Sequence, residues 1–316
     1  FFYKNLKDTM ELKRSLSTNE GFLNISLILC SHFFLLAWVF LAFQFQNIWI
    51  FISSPLVFFL HQRYISEWMH EAAHGNLCPN FKLNELIANF LIAPIFISPI
   101  SVYRAVHFHH HTKKEYFEPD DFETAIVNPI NHFSLILGVI NDALGVSAFR
   151  RYISNIFGLI STQKTTSSKK SKKNTFANYL LILCIHLLIV GILMYFNFLI
   201  IYLIYYFTIA TFYSVQNRMR IYVQHLQIND DGTCTYNGST ASRSIRGGIL
   251  SKLFYSSDVM AFHHEHHKWP FLTFRQSRSI CKEDGNINVY CEKPSIVLRA
   301  SLFAKFKSYQ PLSNTK

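Results

Sequence analysis

Two long stretches of this sequence carry no charged residue. There is no Lys, Arg, Asp or Glu between Gly21 and Gln62, and none between Asn174 and Asn217. One helical crossing of a bilayer takes about 20 apolar residues, so each stretch has the length of a hairpin that crosses twice. Composition agrees. Half of the residues are hydrophobic, with 31 Phe and 16 Tyr, and only 16% are charged, against about 25% in soluble domains. A multi-pass integral membrane protein is expected. The formal charge is +11, and every Lys and Arg lies outside the two stretches. Two crossings per stretch put all of that charge, and both termini, on one side, which the positive-inside rule makes cytoplasmic. A basic balance can also mark nucleic-acid binding. This distribution argues for a membrane instead, and no nucleic-acid partner is expected.

The chain does not begin with Met, and no signal peptide is expected, because Phe1–Glu20 is polar and charged. The six cysteines form no CxxC pair and read as free thiols.

The expected organisation is a cytoplasmic segment 1–21, a first transmembrane hairpin 22–69, a cytoplasmic region 70–176, a second hairpin 177–216 and a cytoplasmic region 217–316. Phe22–Phe45 would span about 36 Å as a helix. The return through Ile48–Leu60 is short, so that helix is expected to leave the lipid early and continue through His61–His74. There Arg63, Glu67, His70 and His74 share one face, with Arg63 expected to hold Glu67 behind the histidines. Segment 86–103 is apolar but holds Pro94 and Pro99, and reads as re-entrant or interfacial. Lys164–Lys173 is a basic, low-complexity stretch, either a solvated loop or a contact for anionic headgroups. Ile228–Ser244 reads as a loop and Lys268–Lys316 as a tail.

Beside the apolar stretches lie three histidine clusters: His70-Glu71-Ala72-Ala73-His74, His107-Phe108-His109-His110-His111 and His263-His264-Glu265-His266-His267. A neutral imidazole offers a lone pair near neutral pH. Eight imidazoles spaced HxxxH, HxxHH and HxxHH exceed the four that one tetrahedral metal uses, so two metal ions at a membrane surface are expected. On a helix the first and fourth residues of HxxHH share a face and the fifth lies near it, which selects His107, His110, His111, His263, His266 and His267. His109 and His264 fall between and read as non-ligands. His225 emerges where the last span leaves the membrane and reads as a further ligand. His32, His61, His132 and His186 read as structural.

The pattern resembles the membrane-bound fatty acid desaturase and hydroxylase superfamily. The resemblance rests on His70–Gly75, Arg104–Thr112 followed by Glu118–Asp121, the second apolar stretch, and Phe262–Pro270, in that order. It implies an all-α integral membrane fold: four transmembrane helices in two hairpins under a cytoplasmic helical cap that holds a di-iron site. The implied ligands of two Fe ions are His70, His74, His107, His110, His111, His225, His263, His266 and His267. The implied reaction uses O2 and two electrons to remove hydrogen from a lipid or fatty acyl chain. Desaturation is the expected outcome, with hydroxylase or ketolase activity as the alternative. Glu71, Asp120, Asp121 and Glu265 are candidates for orienting the ligands through their second ring nitrogen, although Asp120 and Asp121 fit a solvated turn after Pro119 equally well. No haem or flavin region is recognisable, so electrons are expected from a separate ferredoxin or small cytochrome, and a basic cap would suit an acidic carrier.

Two other classes compete. His70–His74 also matches the HExxH zinc metalloprotease signature, with Glu71 as general base, but that leaves six cluster histidines unexplained. A receptor or metal-storage protein would consume no oxygen with reductant and lipid.

Overall fold

The first long helix begins where its sequence provides a cap. Ser17 and Glu20 form a capping box: Glu20 N–H donates to Ser17 Oγ at 3.2 Å, and Ser17 N–H donates to Glu20 Oε2 at 3.0 Å. Helix α1 (Thr18–Phe45) runs from there to Gln46, which takes a left-handed conformation. Asn47 then caps α2 (Ile48–Ala73) by accepting the Trp49 N–H at 2.8 Å. The chain thus turns within two residues. The computed structural model describes residues 16–112, 132–150, 152–153, 169–228, 233–236, 242–245, 248–255, 257, 259–283, 291–292 and 305–306. Residues 164–168 of the basic stretch, Asp120 and Asp121 lie outside the described residues, as do the side chains of His109, His110 and His132.

Among the described residues, four stretches are long and apolar enough to cross a membrane: Thr18–Phe45, Ile48–Ala73, Asn174–Tyr195 and Leu199–His225. Their surfaces are apolar, with Phe33, Phe34, Leu36 and Leu187 among many exposed side chains. Water would penalise such a belt, whereas a hydrocarbon environment does not. α2 is continuous past Leu60, and most of its side chains from Phe58 to Ala73 are buried. This is the extension expected from the short apolar run.

The proline-containing segment is broken. α3 (Phe81–Ile87), a π-helical turn at Ala88–Ile92 and α4 (Ala93–Phe96) lead to Ile97, at φ 51°. α5 (Ile100–Thr112) then leaves at an 82° bend. Two histidines hold carbonyls of this broken segment. His32 Nε2–H donates to the Leu91 carbonyl at 3.0 Å, and His186 Nε2–H donates to the Pro94 carbonyl at 3.0 Å. His32 Nδ1 lies 3.0 Å from His61 Nε2, and His61 Nδ1 lies 3.0 Å from the Tyr205 hydroxyl. Since the Leu91 bond takes the His32 proton, the N–H of His61 donates to His32 and Tyr205 donates to His61.

The remaining elements are α6 (His132–Ala143), α7 (Lys169–Tyr195), α8 (Leu199–Thr208), a second π turn at Ile209–Tyr213, and α9 (Ser214–His225). After α9 the chain departs from the expected loop. Strands β1 (Leu226–Ile228) and β2 (Thr233–Tyr236) pair antiparallel, and β3 (Ser244–Ile245) follows. The sequence between β1 and β2, Asn229-Asp230-Asp231-Gly232, carries turn residues between two short runs with strand character. α10 (Ile249–Phe254), α11 (His263–Lys268) and α12 (Phe274–Glu283) follow, and β4 (Cys291–Glu292) and β5 (Lys305–Phe306) pair with β3 and β2. The described residues are mostly helical, as the all-α expectation has it, and the short strand pairs are an addition to that architecture. The tail expected from Lys268 is corrected, because α12 packs onto the helices: Phe274 meets Trp68 edge-on at 5.9 Å, and Arg275 Nη1 donates to Asn24 Oδ1 at 2.7 Å.

Gly75 is the residue that ends α2. It sits at φ 73°, its N–H donates to the Ala72 carbonyl at 2.9 Å, and Asn76 N–H donates to the Glu71 carbonyl at 2.8 Å. This is a Schellman cap, and it leaves His74 as the last residue of the turn. Gly75→Ala is expected to cost roughly 1–2 kcal/mol, the left-handed penalty of an L side chain. Gly75→Asn should cost less. Thermal unfolding of the detergent-solubilised protein checks the order.

Candidate metal centre

α2 and α5 each present histidines one turn apart. His70 and His74 leave the end of α2; His107 and His111 leave α5. Residues i and i+4 differ by about 40° around a helix, so each pair can point at one position. The two pairs meet there with His266 of α11. All five donor atoms lie within 4.8 Å of one another. His107 Nε2 is 2.9 Å from both His74 Nε2 and His111 Nε2, and His111 Nε2 is 3.0 Å from His266 Nε2.

A second group forms from His225 at the end of α9 with His263 and His267 of α11. Here His263 Nε2 lies 2.8 Å from His225 Nε2 and 3.0 Å from His267 Nε2. One six-residue helix thus supplies both groups. The fourth residue of this cluster, His266, parts from the first and fifth, because positions i+3 and i+4 are 100° apart on a helix. The rings of His111 and His267, one from each group, are 4.6 Å apart, so the groups adjoin.

The contacts are unusual for imidazoles alone. Several Nε2 atoms face one another at 2.8–3.0 Å, and a neutral ring has only one N–H to share. A metal in their midst resolves the conflict. Each group offers three or more such donors within reach of one position. His70 supports the same reading: it is buried, and among the described residues neither ring nitrogen has a hydrogen-bond partner. Buried polar atoms are rarely left so. Burial first, then the His74, His111, His263 and His107 imidazoles, holds His266 well below the usual imidazole value. His266 is therefore neutral, with its lone pair available.

The family model described as fatty acid desaturase matches residues 46–281. The chain belongs to the fatty acid desaturase family. Comparison with curated proteins and with solved structures gave no match. Family membership supports an oxidoreductase of desaturase or hydroxylase type, and the apolar helices suit an integral membrane protein acting on membrane lipid. The histidine groups fit its metal site.

The acidic candidates take different positions in this desaturase-family chain. Glu71 Oε1 is 3.7 Å from His70 Nδ1, beyond hydrogen-bonding distance. Glu265 is hydrogen-bonded by the Ser244 hydroxyl, and Ser244 Oγ also accepts the His264 N–H at 3.1 Å. Glu265 thus joins β3 to α11. Glu67 accepts from Arg63 at 2.7 Å, from Ser257 N–H at 2.8 Å and from the Ser257 hydroxyl. It fastens the segment before α11 to α2. His264 turns away from both groups, with Nδ1 3.0 Å from the Ser242 carbonyl.

Sequence reasoning missed the polar residues that lock the first cluster. Arg104 Nε donates to the Ala73 carbonyl at 2.6 Å and Nη2 to the Ala72 carbonyl at 3.1 Å, while also pairing with Glu85. Asn84 donates to the Ala72 carbonyl at 3.0 Å, and Asn24 donates to the Asn76 and Leu77 carbonyls, each at 3.2 Å. These bonds use the carbonyls that the end of α2 leaves open. Their signal was present: asparagines placed in apolar surroundings, and an arginine three residues before His107.

Proposed function

We propose that this chain is a fatty acyl desaturase that holds two irons, one in each histidine group, at the cytoplasmic face of a membrane. Its ligands in this reading are His70, His74, His107, His111 and His266 for one ion, and His225, His263 and His267 for the other, with His110, whose side chain lies outside the described residues, as a further ligand implied by the family resemblance. The observation that carries the reading is the convergence of eight imidazoles from four helices on two adjoining positions within a desaturase-family chain. Five donors in one group also exceed what the protease reading of His70–His74 requires.

When bound, the irons supply oxidation of an unactivated C–H bond by O2 and two electrons. The chain's own contribution is placement and exclusion. α11 would help hold both ions, since it gives donors to both groups. The Arg63–Glu67–Ser257 and Arg104–Ala73 ties hold three ligand-bearing helices in register. Burial of His70, His107, His263 and His266 keeps water from the ligands. The alkyl chain enters from the bilayer among Phe, Ile and Leu side chains. Electrons come from a separate ferredoxin or small cytochrome, and both termini share the cytoplasmic side, since all Lys and Arg lie outside the charge-free stretches.

Expression in a host of known lipid composition, followed by mass analysis of its acyl chains, tests this. New acyl species lighter by two hydrogens are expected, and should be absent from a His263→Ala variant. Species gaining oxygen instead would move the assignment to a hydroxylase or ketolase. Unchanged lipids in a strain supplied with the electron donor would overturn it.

A further inference from the structure

The faces of α6 are reversed for a helix in water. Phe133, Ile136, Leu137 and Ile140 recur at i, i+3, i+4 and i+7 and form one stripe. Leu144 extends it by a turn, its N–H donating to the Ile140 carbonyl at 2.9 Å. All five side chains are between 46% and 72% exposed. Gly138 and Asp142 lie about half a turn away around the helix, and that side faces the protein. Asp142 is buried in its pair with Arg218, and Gly138 leaves the guanidinium its space. A helix that turns a carboxylate inward and five large apolar side chains outward presents a patch that water penalises.

The position of α6 identifies what covers the patch. Arg218 is the first charged residue after the second charge-free stretch, so its partner Asp142 sits at the level where the fourth span leaves the hydrocarbon. Gly145, just past α6, approaches the second π turn: a Cβ there would lie 3.7 Å from Ala210 Cβ. Phe207 and Phe212, on either side of Ala210 in the chain, are exposed members of the apolar belt. α6 therefore lies against the end of that belt. Its 12 residues make a helix about 18 Å long, too short to cross a hydrocarbon core of about 30 Å. Apart from Asp142, no Lys, Arg, Asp or Glu occurs from His132 to Phe149, and exposed Arg150 follows, where a cation suits anionic headgroups. Amphipathic helices of this kind lie in the plane of a bilayer surface.

We propose that α6 is an in-plane membrane helix, with its Phe133–Leu144 stripe among the upper acyl chains of the cytoplasmic leaflet and Arg150 at the headgroups. The proposal rests on the reading of the four long helices as spans and is independent of the metals. It gives the Asp142–Arg218 pair a second consequence. α9 carries His225 and is fastened through Arg218 to a helix that floats at the bilayer surface, so the depth of the His225 group below that surface is set by α6 as well as by the fourth span.

The full-length wild-type protein, reconstituted with photoreactive phosphatidylcholine, tests this. One sample carries a diazirine near the glycerol end of an acyl chain, and another carries it at the terminal methyl. Irradiation and peptide mass mapping then locate the label. The middle of α1, where Phe33, Phe34 and Leu36 are exposed, is the internal control for lipid contact. The α6 peptide should be labelled several-fold more by the shallow probe than by the deep one, while the middle of α1 takes label from the deep probe. Label in α1 with none in α6 from either probe would overturn the in-plane helix alone, since another segment of the chain or a second copy would then cover the stripe. Equal or greater labelling of α6 by the deep probe would also overturn it, because the helix would then lie within the bilayer core. Absence of label from α1 as well would overturn the reading of the long helices as spans.

Discussion

His266→Ala is expected to remove one metal ion per chain and reduce oxidation of acyl chains to background. His266 is the only α11 histidine in the five-donor group: its Nε2 lies 3.0 Å from His111 Nε2, and its ring is 4.3 Å from that of His70 and 4.6 Å from that of His74. Removing it opens a donor position in one group and leaves His225, His263 and His267 intact in the other. Changes to residues behind metal ligands already cost roughly 10–100-fold in affinity or activity, and loss of a ligand should cost more. The control is His264→Ala. That ring is bonded to Ser242 and belongs to neither group, so both metals should stay. Elemental analysis of the two variants beside wild type decides the matter. An His266→Ala protein with two ions and full activity would show that the five-donor group is no metal site.

The pairing of histidines by turn was legible in the sequence, because i and i+4 spacing on a helix is geometry. What the spacing could not show was which cluster shares which ion. His266 and His267 are neighbours in the chain and part company because α11 lies between two sites, a tertiary fact. The four long apolar helices were legible for a similar reason: charge is excluded from them residue by residue. The supports were not legible. Asn24, Asn76, Asn84 and Arg104 are scattered along the chain, and they become a network only when α1, α3 and α5 meet the end of α2. Glu67 was expected to stand behind the histidines from its place on the same face as His70. It is held by Arg63, as expected, and in addition accepts from Ser257, a partner that helical phase does not specify. The strand pair after His225 was obscured by its polar composition, in which Asn and Gly mark a hairpin turn as readily as a loop.

Asp142→Ala is expected to destabilise the protein by about 3–5 kcal/mol, the effect of leaving one partner of a buried ion pair alone. Asp142 is 1% exposed and Arg218 9%. Arg218 Nε donates to Asp142 Oδ2 at 2.5 Å and Nη2 to Oδ1 at 3.1 Å, a two-pronged contact that joins α6 to α9. Gly138 makes room for it: a Cβ there would lie 2.8 Å from Arg218 Nη1. Arg218 stands seven residues before His225 on the same helix, so the face of α9 that bears the pair is close in phase to the face that bears the ligand. Freeing α9 from α6 should therefore loosen the His225 group before the five-donor group. The expected result is a lower unfolding temperature in detergent together with preferential loss of one ion. Replacing both partners, Asp142→Leu with Arg218→Met, should recover much of the stability, since no buried charge is then left unpaired. If the single and double variants unfold alike, the pair contributes no specific interaction, and the register of α9 is set by the packing of Ile221 and Tyr222 alone.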